Sequence, residues 1–324
     1  MSSLHPSPDS NASFDALVAP HRSALLAHCY RMTGSLPDAE DALQDALLRA
    51  WRGWDRFEGR SSLRTWLFRI ATNTSRRVIE QRRRRILPID FGPPSDPHSP
   101  RDHPFEEGTW ITPFPTGPRD GSPAGSLETK ESVELAFIAA LQTLPGRQRA
   151  VLLLRDVLGF TAAETSEALD SSVPSVNSAL HRARAAMASR EQTSEKPGLD
   201  AAGTRAAADR FVAAWVANDV GALVALLAAD VEMTMPPIPT WFRGIDDVAE
   251  FLRVAPLAGQ LRWEARPMQA NGQPSFALYS HGDAGWEAHS LNVLTFDGDR
   301  VAGFDAFLTP DLFPAFGLPT LLLS

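Results

Sequence analysis

Three groups of side chains in this 324-residue sequence are of types that recognise other molecules. Between Arg49 and Arg85 stand twelve arginines against only Asp55, Glu58 and Glu80, a local charge of +9. Trp51, Trp54, Phe57, Trp66 and Phe68 are interleaved with them. Arginine follows phosphates, and a loop pocket can hold an unstacked base, so the stretch suits a nucleic acid. Trp51 and Trp66 fall at core spacing and are expected to pack rather than to stack on bases. That leaves the loop residues Phe57, Glu58, Gly59, Arg60, Ser61 and Ser62 as base contacts, and Arg82–Arg85 as phosphate ligands.

The second group runs from Thr161 to Ala188. Thr161 and Glu164 have the spacing of a capping box for the short helix TAAETSEAL. A turn at Asp170-Ser171-Ser172 follows, and a second helix opens at Pro174, where the first turn tolerates proline. This is a helix-turn-helix pattern whose second helix would enter a major groove. Thr161, Ser172, Ser175, Asn177 and Ser178 suit phosphates or base edges, and His181, Arg182 and Arg184 extend the reach to the backbone. The same residues also describe a plain helical hairpin with a basic face. The third group, Asp38, Glu40, Asp41, Gln44 and Asp45, gives one helix an acidic surface that by itself reads as a solvated face.

The elements that must carry these groups are legible as periodicities. Phe14, Leu17, Val18, Leu25 and Cys29 recur at helical spacing, and Thr33-Gly34 breaks the pattern. Ser35, Pro37 and Asp38 mark a helix start, and Ser62 caps a third helix striped by Leu63, Trp66, Leu67, Ile70 and Val78. Residues 88–126 are dense in Pro and Gly, without periodicity and mildly acidic, which reads as a linker. Helical spacing returns over 127–190, a polar linker covers 191–203, and residues 1–12 read as a disordered tail. From 204 to 324 two helices, Ala206–Ala217 and Val220–Ala228, precede a helix at Asp246–Val254 and the strand-like runs VEMTM, FALYS, SLNVLTF and VAGFDAF. Asp297-Gly298 is expected to turn the last two into a hairpin, and Asp230 to be a turn residue. The fold class is therefore multidomain: two all-α helical domains followed by an α+β domain.

Composition sets outer bounds. The net charge is −8, yet from Asp200 onward seven arginines face fifteen acids, so the acidity belongs to one end. A single cysteine, Cys29, excludes a disulfide framework and a zinc–cysteine cluster, and on an apolar stripe it reads as a core residue. No apolar run approaches a membrane span, the N-terminus lacks a signal-peptide pattern, and the expected compartment is the cytoplasm.

DAEDALQDALLRAW followed by RFEGRSSLRTWLFRIATN resembles region 2 of the sigma-70 family, in its extracytoplasmic-function (ECF) group. The block from LQTLPGRQRAVLLLRD to the second helix of the helix-turn-helix resembles region 4. The resemblance covers about 130 residues in the family's order, and GTWITPFP points to the long ECF subgroup with a C-terminal extension, as in mycobacteria. It implies that residues 13–87 form region 2. There Asp38, Glu40, Asp41, Gln44 and Asp45 would bind the clamp helices of polymerase β′. The loop Arg56–Ser62 would capture a flipped base of the −10 element, and Asn73, Arg76 and Arg77 would contact promoter DNA. It implies likewise that region 4, over 127–190, reads the −35 element and touches the polymerase β subunit. The acidic linker, with Asp96, Asp102, Glu106, Glu107 and Asp120, would thread the RNA channel. A passive tether is the alternative for those residues.

The C-terminal part resembles the SnoaL-like, nuclear-transport-factor-like fold, a cone-shaped α+β barrel. Some members use an Asp or an Asp–His pair as isomerases, hydratases or cyclases. Asp230, His289 and Asp305 are the polar candidates here, Asp230 reading more readily as a turn residue, with Trp215, Met233, Met235, Trp241, Phe242 and Phe307 as lining. No catalytic dyad, metal set or cofactor motif is read. The expected function is an alternative sigma factor, with core RNA polymerase and promoter DNA as partners, and an anti-sigma factor or small-molecule ligand as further ones. A ligand-responsive helix-turn-helix regulator and an enzyme in the cone are the alternatives. Removal of the chain from Ala201 is expected to change promoter output rather than the folding of the helical domains.

Overall fold

The computed structural model describes residues 10–100, 108–116, 133–188, 201–283 and 285–322, which divide into two compact units. The first joins the chain up to Arg85 with Ala136–Gln192, and the second joins Ile86–Leu135 with Thr193–Ser324. Residues 1–9, most of the 191–203 linker, and the linker acids Asp102, Glu106, Glu107 and Asp120 lie outside the described residues.

In the first unit α1 (Ser10–Val18) begins inside the expected tail. A 3-10 turn at Ala19–His21 separates it from α2 (Arg22–Thr33). The spacing from Phe14 to Cys29 read as one helix; Pro20, which has no amide hydrogen to give, divides it. Gly34 ends α2 with φ +72, and a Cβ there would stand 2.8 Å from the Gln142 side chain. Ser35 then caps α3 (Leu36–Gly53) by accepting the Asp38 amide, and Ser62 caps α4 (Leu63–Gln81) by accepting that of Thr65 at 3.0 Å. α2, α3 and α4 pack around Tyr30, Met32, Leu36, Leu67 and Phe68, all under 3% exposed. Within this core His28 meets the Phe68 ring edge-on and shares a 2.8 Å hydrogen bond with Thr72. Burial, then Arg31, pulls its pKa down to about 3, so the imidazole is neutral. Burial pushes the Cys29 thiol up to about 12, which fits an inert core side chain.

The rest of this unit is α5 (Leu135–Gln142), α6 (Gly146–Leu152) leading into a π-helical turn at Leu153–Val157, α7 (Ala162–Ala168) and α8 (Val173–Ala188). Val176, Ala179, Leu180, Ala183 and Met187 form the buried stripe of α8, in the i, i+3, i+4, i+7 pattern of one helix face.

The second unit is α9 (Ala201–Val216), α10 (Val220–Val224) and α11 (Ile245–Val254) with a seven-stranded mixed sheet. The strands are β1 (Leu227–Thr234), β2 (Trp241–Arg243), β3 (Trp263–Ala270), β4 (Gln273–Gly282), β5 (Gly285–Asp297), β6 (Arg300–Phe307) and β7 (Leu321–Leu322). Their order is β2-β1-β6-β5-β4-β3, with β7 on β5, and only β1 and β6 run parallel. The helix expected to reach Ala228 ends at Val224, and Asp230 is an exposed residue inside β1 rather than a turn residue. The β5–β6 hairpin is present, with Gly298-Asp299 as its central pair because Asp297 still faces Arg300. Phe211, Trp215, Phe251, Phe276, Leu278, Leu294 and Phe304 form the core on the helical side of the sheet.

The stretch expected as a bare linker is built into this unit where it is described. The Trp241 indole donates to the Gly92 carbonyl at 2.9 Å, and the Ser95 amide donates to the Trp241 carbonyl at 2.7 Å. Asn271, wholly buried, accepts the Phe114 amide at its side-chain oxygen (2.8 Å) and donates to the Val133 carbonyl (2.6 Å). Its own amide donates to the Phe114 carbonyl at 2.8 Å. Trp110, Ile111 and Phe114 are at most 6% exposed. Prolines prevent regular structure here, but tertiary hydrogen bonds to the domain's turns satisfy the backbone instead.

Candidate nucleic-acid interface

α3 ends and α4 passes beside a groove of about 400 Å³. Arg49, Arg56, Arg69, Asn73 and Arg77 line it, with Trp66, Gly53, Ile70 and Thr74 as floor and walls. Three of the expected contacts, Arg56, Asn73 and Arg77, are thus brought together, and Arg49 and Arg69 join them. Arg49 is held by Asp45 at 3.1 Å and Arg69 by Glu167 at 3.7 Å, both on exposed surface where such pairs are weak and exchangeable. Arg76 pairs with Glu80 at 3.6 Å. A groove whose rim carries four guanidinium groups and one amide suits a polyanion, because each neutralised phosphate releases condensed counterions.

In the 56–62 loop Phe57 is not a free platform. Its ring lies 4.8 Å from Trp66 and stacks on Trp54 at 5.6 Å. Arg60 pairs with Glu58 at 3.3 Å in full exposure, and Ser62 is engaged as the cap of α4. Arg60 and Ser61 are therefore the loop side chains best placed for a ligand.

The acidic face of α3 divides. Glu40, Asp41, Gln44 and Asp45 are exposed. Asp38 is not: at 3% exposure it pairs with Arg82 at 2.9 Å and with Arg85. The same pairing takes Arg82 and Arg85 out of the expected phosphate-binding run, Arg85 being itself buried. A buried carboxylate holding two guanidinium groups is committed to its own fold, since removing either side strands a charge. Trp51, expected in the core, is 48% exposed, and Leu48 is 42% exposed. From Asp41 the intervals to Asp45, Leu48 and Trp51 are helical steps, so these two apolar residues extend the acidic face. That spacing was available in the sequence, but the adjacent Leu47-Leu48 pair hid which leucine faces out.

The helix-turn-helix is formed by α7 and α8. The Glu164 carboxylate accepts the Thr161 amide and hydroxyl at 2.8 Å each, and the Thr161 hydroxyl oxygen accepts the Glu164 amide at 3.1 Å. These hydrogen bonds hold the Glu164 carboxyl below its ordinary value. Asp170 occupies the turn with φ +47, a conformation that Asp tolerates better than most residues. Opposite its buried stripe, α8 exposes Asn177, Ser178, His181 and Arg182. Arg182 donates to Ser178 at 2.6 Å, and Arg184 is clamped by both oxygens of Asp156 at 2.9 and 2.7 Å. Ser172 accepts the Ser175 amide at 3.4 Å as the helix-start partner. Arg147, missed in the sequence, donates to Ser175 at 3.1 Å and to Ser171 at 2.5 Å. It stands at the turn because α6 packs against α8.

The expected pocket of the second unit does not assemble. Strand alternation sends Met233 and Phe242 to the helical face, where they share a core with Trp215 of α9 and Phe242 stacks on Phe251 at 4.5 Å. His289, in the β4–β5 bulge, meets Trp263 of that core at 4.9 Å, and burial lowers its pKa. Trp241, Asp305 and Phe307 face the opposite side, because Phe304 and Ala306 point into the helical core. Asp305 accepts the Thr234 hydroxyl at 2.7 Å; burial outweighs that bond and raises its pKa to about 6. A carboxyl and an imidazole on opposite faces of one sheet cannot act as a catalytic pair. A groove of about 480 Å³ in this unit lies elsewhere, between Asp96, His98 and the residues Asp246, Glu250 and Arg253 of α11. Among the described residues no His, Cys, Asp and Glu group could hold a metal ion, and no helix is long and apolar enough to cross a membrane.

Comparison with known proteins matches residues 17–85 to sigma-70 region 2, 134–187 to sigma-70 region 4, and 208–304 to a SnoaL-like domain. The chain is 43% identical over 328 aligned positions to the ECF RNA polymerase sigma factor SigG of Mycobacterium tuberculosis, covering 99% of this chain and 88% of that one. It is 29% identical over 172 positions to the ECF RNA polymerase sigma-E factor of Escherichia coli K12, covering 53% of this chain and 82% of that one. The crystal structure of the M. tuberculosis ECF sigma factor SigJ shares the fold, with a TM-score of 0.61 at 23% identity over 94% of this chain and 99% of that one.

Proposed function

The chain belongs to the extracytoplasmic-function group of the sigma-70 family, and we propose how its residues divide the work of an alternative sigma factor between polymerase, promoter and self-control. As a member of that family it binds core RNA polymerase and promoter DNA to start transcription, and it is not an enzyme. The exposed strip Glu40, Asp41, Gln44 and Asp45, with Leu48 and Trp51, docks on the β′ clamp helices. Asp38 stabilises region 2 from within. The groove of Arg49, Arg56, Arg69, Asn73 and Arg77 takes the −10 strand, with Arg60 and Ser61 at the flipped base. Asn177, Ser178, His181 and Arg182 of α8 meet the −35 element, with Arg147, Ser175 and Arg184 on flanking phosphates. Region 4 also meets the polymerase β subunit, and the work takes place in the cytoplasm.

The observation that carries this reading is the presence, in one helical unit, of an acidic–apolar strip, a cationic groove and a polar recognition-helix face. Pull-down of β′ by the purified chain tests it. Asp41→Arg and Trp51→Ala are expected to lose β′, and Asp38→Asn to lose folded protein instead. Retention of β′ by both surface variants refutes the assignment.

The C-terminal domain acts on initiation by holding the segment between regions 2 and 4. The support is the set of hydrogen bonds from Asn271 and Trp241 to residues 92–95, 114 and 133. A segment held this way must leave those contacts before it can thread a polymerase channel. Run-off transcription with Asn271→Ala is expected to differ from wild type at equal β′ binding; identical output refutes the modulating role.

A further inference from the structure

The first unit has a second basic groove, of about 350 Å³, that neither the −10 nor the −35 reading uses. Its walls carry Arg82, Arg83, Arg84 and Arg85 after α4, and Arg149 of α6, against a single carboxylate, Asp38. Thr33, Gln142, Pro145 and Gly146 complete it. Asp38 engages Arg82 and Arg85, so exposed Arg83 and Arg84 carry the positive excess of this concave surface, where low-dielectric walls strengthen the field.

Arg149 shows the strain of this arrangement. It is 3% exposed and is held by the Met32 carbonyl, the Gln142 side-chain and main-chain oxygens, and the Leu144 carbonyl. Its Nε is buried with no acceptor. Burial first, then the Arg84 charge, pulls its pKa down to about 9. A guanidinium that is buried, incompletely satisfied and repelled by a neighbouring guanidinium lacks an anion.

The groove also spans both halves of the unit. Met32 and the arginine run belong to region 2, whereas Gln142, Leu144 and Arg149 belong to region 4. Gln142 reinforces the junction by donating to the Arg31 carbonyl at 3.3 Å.

We propose that this groove binds a small oligophosphate, of pyrophosphate or nucleotide-polyphosphate type, and that the bound anion fastens region 2 to region 4. Guanidinium forks match phosphate oxygens bidentately, and several forks at one site favour multiply charged phosphates over chloride or carboxylate. The volume is at the small end of the usual ligand range of about 300–1,000 Å³, which suits an oligophosphate and excludes a duplex from the interior. An anion bound to both regions stabilises their packed arrangement by mass action. Oligophosphate then opposes any step that needs the two regions apart.

Inorganic pyrophosphate titrated into the full chain by calorimetry tests this, with Arg84→Glu and Arg83→Ala as exposed variants that leave Arg149 in place. The expected result is one saturable site, weakened at least tenfold by Arg84→Glu. Amide exchange in α5 and α6 should slow when pyrophosphate binds, in the wild type only. Absence of saturable binding overturns the proposal, as does equal binding by Arg84→Glu. An Arg84 dependence seen with a DNA duplex but not with pyrophosphate overturns it too, and assigns the arginines to promoter backbone.

Discussion

Replacement of Asp305 by asparagine tests the reading of the C-terminal sheet most directly. The carboxyl is partly buried on the face away from the helices, accepts the Thr234 hydroxyl, and is pushed from 3.8 to about 6 by burial, with Glu232 adding to the rise. Glu232 is itself engaged by Arg243 at 2.7 Å, so its contribution is the smaller. A carboxyl whose pKa is higher folded than unfolded binds its proton more tightly in the native state. Its favourable contribution is therefore present at low pH and is lost as pH rises towards and through about 6. Holding the charge above that pH costs about 3 kcal/mol, the free-energy equivalent of the displacement. Asparagine keeps an oxygen for Thr234 and carries no charge, so Asp305→Asn should stabilise the second unit at pH 8 by up to about 3 kcal/mol. Between pH 8 and pH 5 the wild type should gain about 1 kcal/mol from this group, and the variant none. Because two units unfold in one chain, the measurement must be local: urea unfolding at each pH, read by pulsed hydrogen exchange in β5 and β6. A variant no more stable than wild type at pH 8, with the wild-type pH response, would refute the burial argument.

Other perturbations have expected signs as well. Asn271→Ala removes two side-chain hydrogen bonds at a wholly buried site and strands the Phe114 amide and the Val133 carbonyl, so it should destabilise the second unit by about 3 kcal/mol and expose residues 108–116 to protease. Unchanged proteolysis would show that the segment is held by other contacts. Asp156→Ala frees Arg184 from its clamp and removes a negative charge, so DNA binding should tighten and log Kd should steepen against log salt by about one phosphate. Asn177→Ala should cost about 1–3 kcal/mol at one base pair of the −35 element, measured by competition among single-base variants, whereas Arg182→Ala should weaken all sequences alike.

The helical unit was largely legible because its signals are local. Ser35, Ser62 and the Thr161–Glu164 pair start helices where their spacing says they should, and periodic leucines and alanines mark buried stripes. What escaped was decided at a distance. Asp38 looks like its acidic neighbours in the sequence, and only Arg82 and Arg85, more than forty residues on, turn it inward. β2 is three residues long beside Pro236, Pro237 and Pro239, and β3 carries Pro267 at a sheet edge, where a missing amide is tolerated; neither resembles a strand by composition. The expected pocket failed for a reason that was available. Trp241 and Phe242 are neighbours in a strand and cannot line the same cavity, since alternate side chains leave opposite faces. The segment after Arg85 was unreadable because a proline-rich stretch carries no periodic signal, and its partners, Asn271 and Trp241, belong to a domain that follows region 4.

The contact between Gly92 and Trp241 spans 149 residues of chain, which gives it a meaning in time as well as in space. A ribosome adding about 5–20 residues per second needs roughly 7–30 s to make that interval. Throughout it Gly92 and Ser95 are already made and the tryptophan that will hold them is not. Each new molecule therefore begins with its central segment unclaimed. Any surface that can seize the segment, polymerase included, has its first opportunity before the C-terminal domain is made.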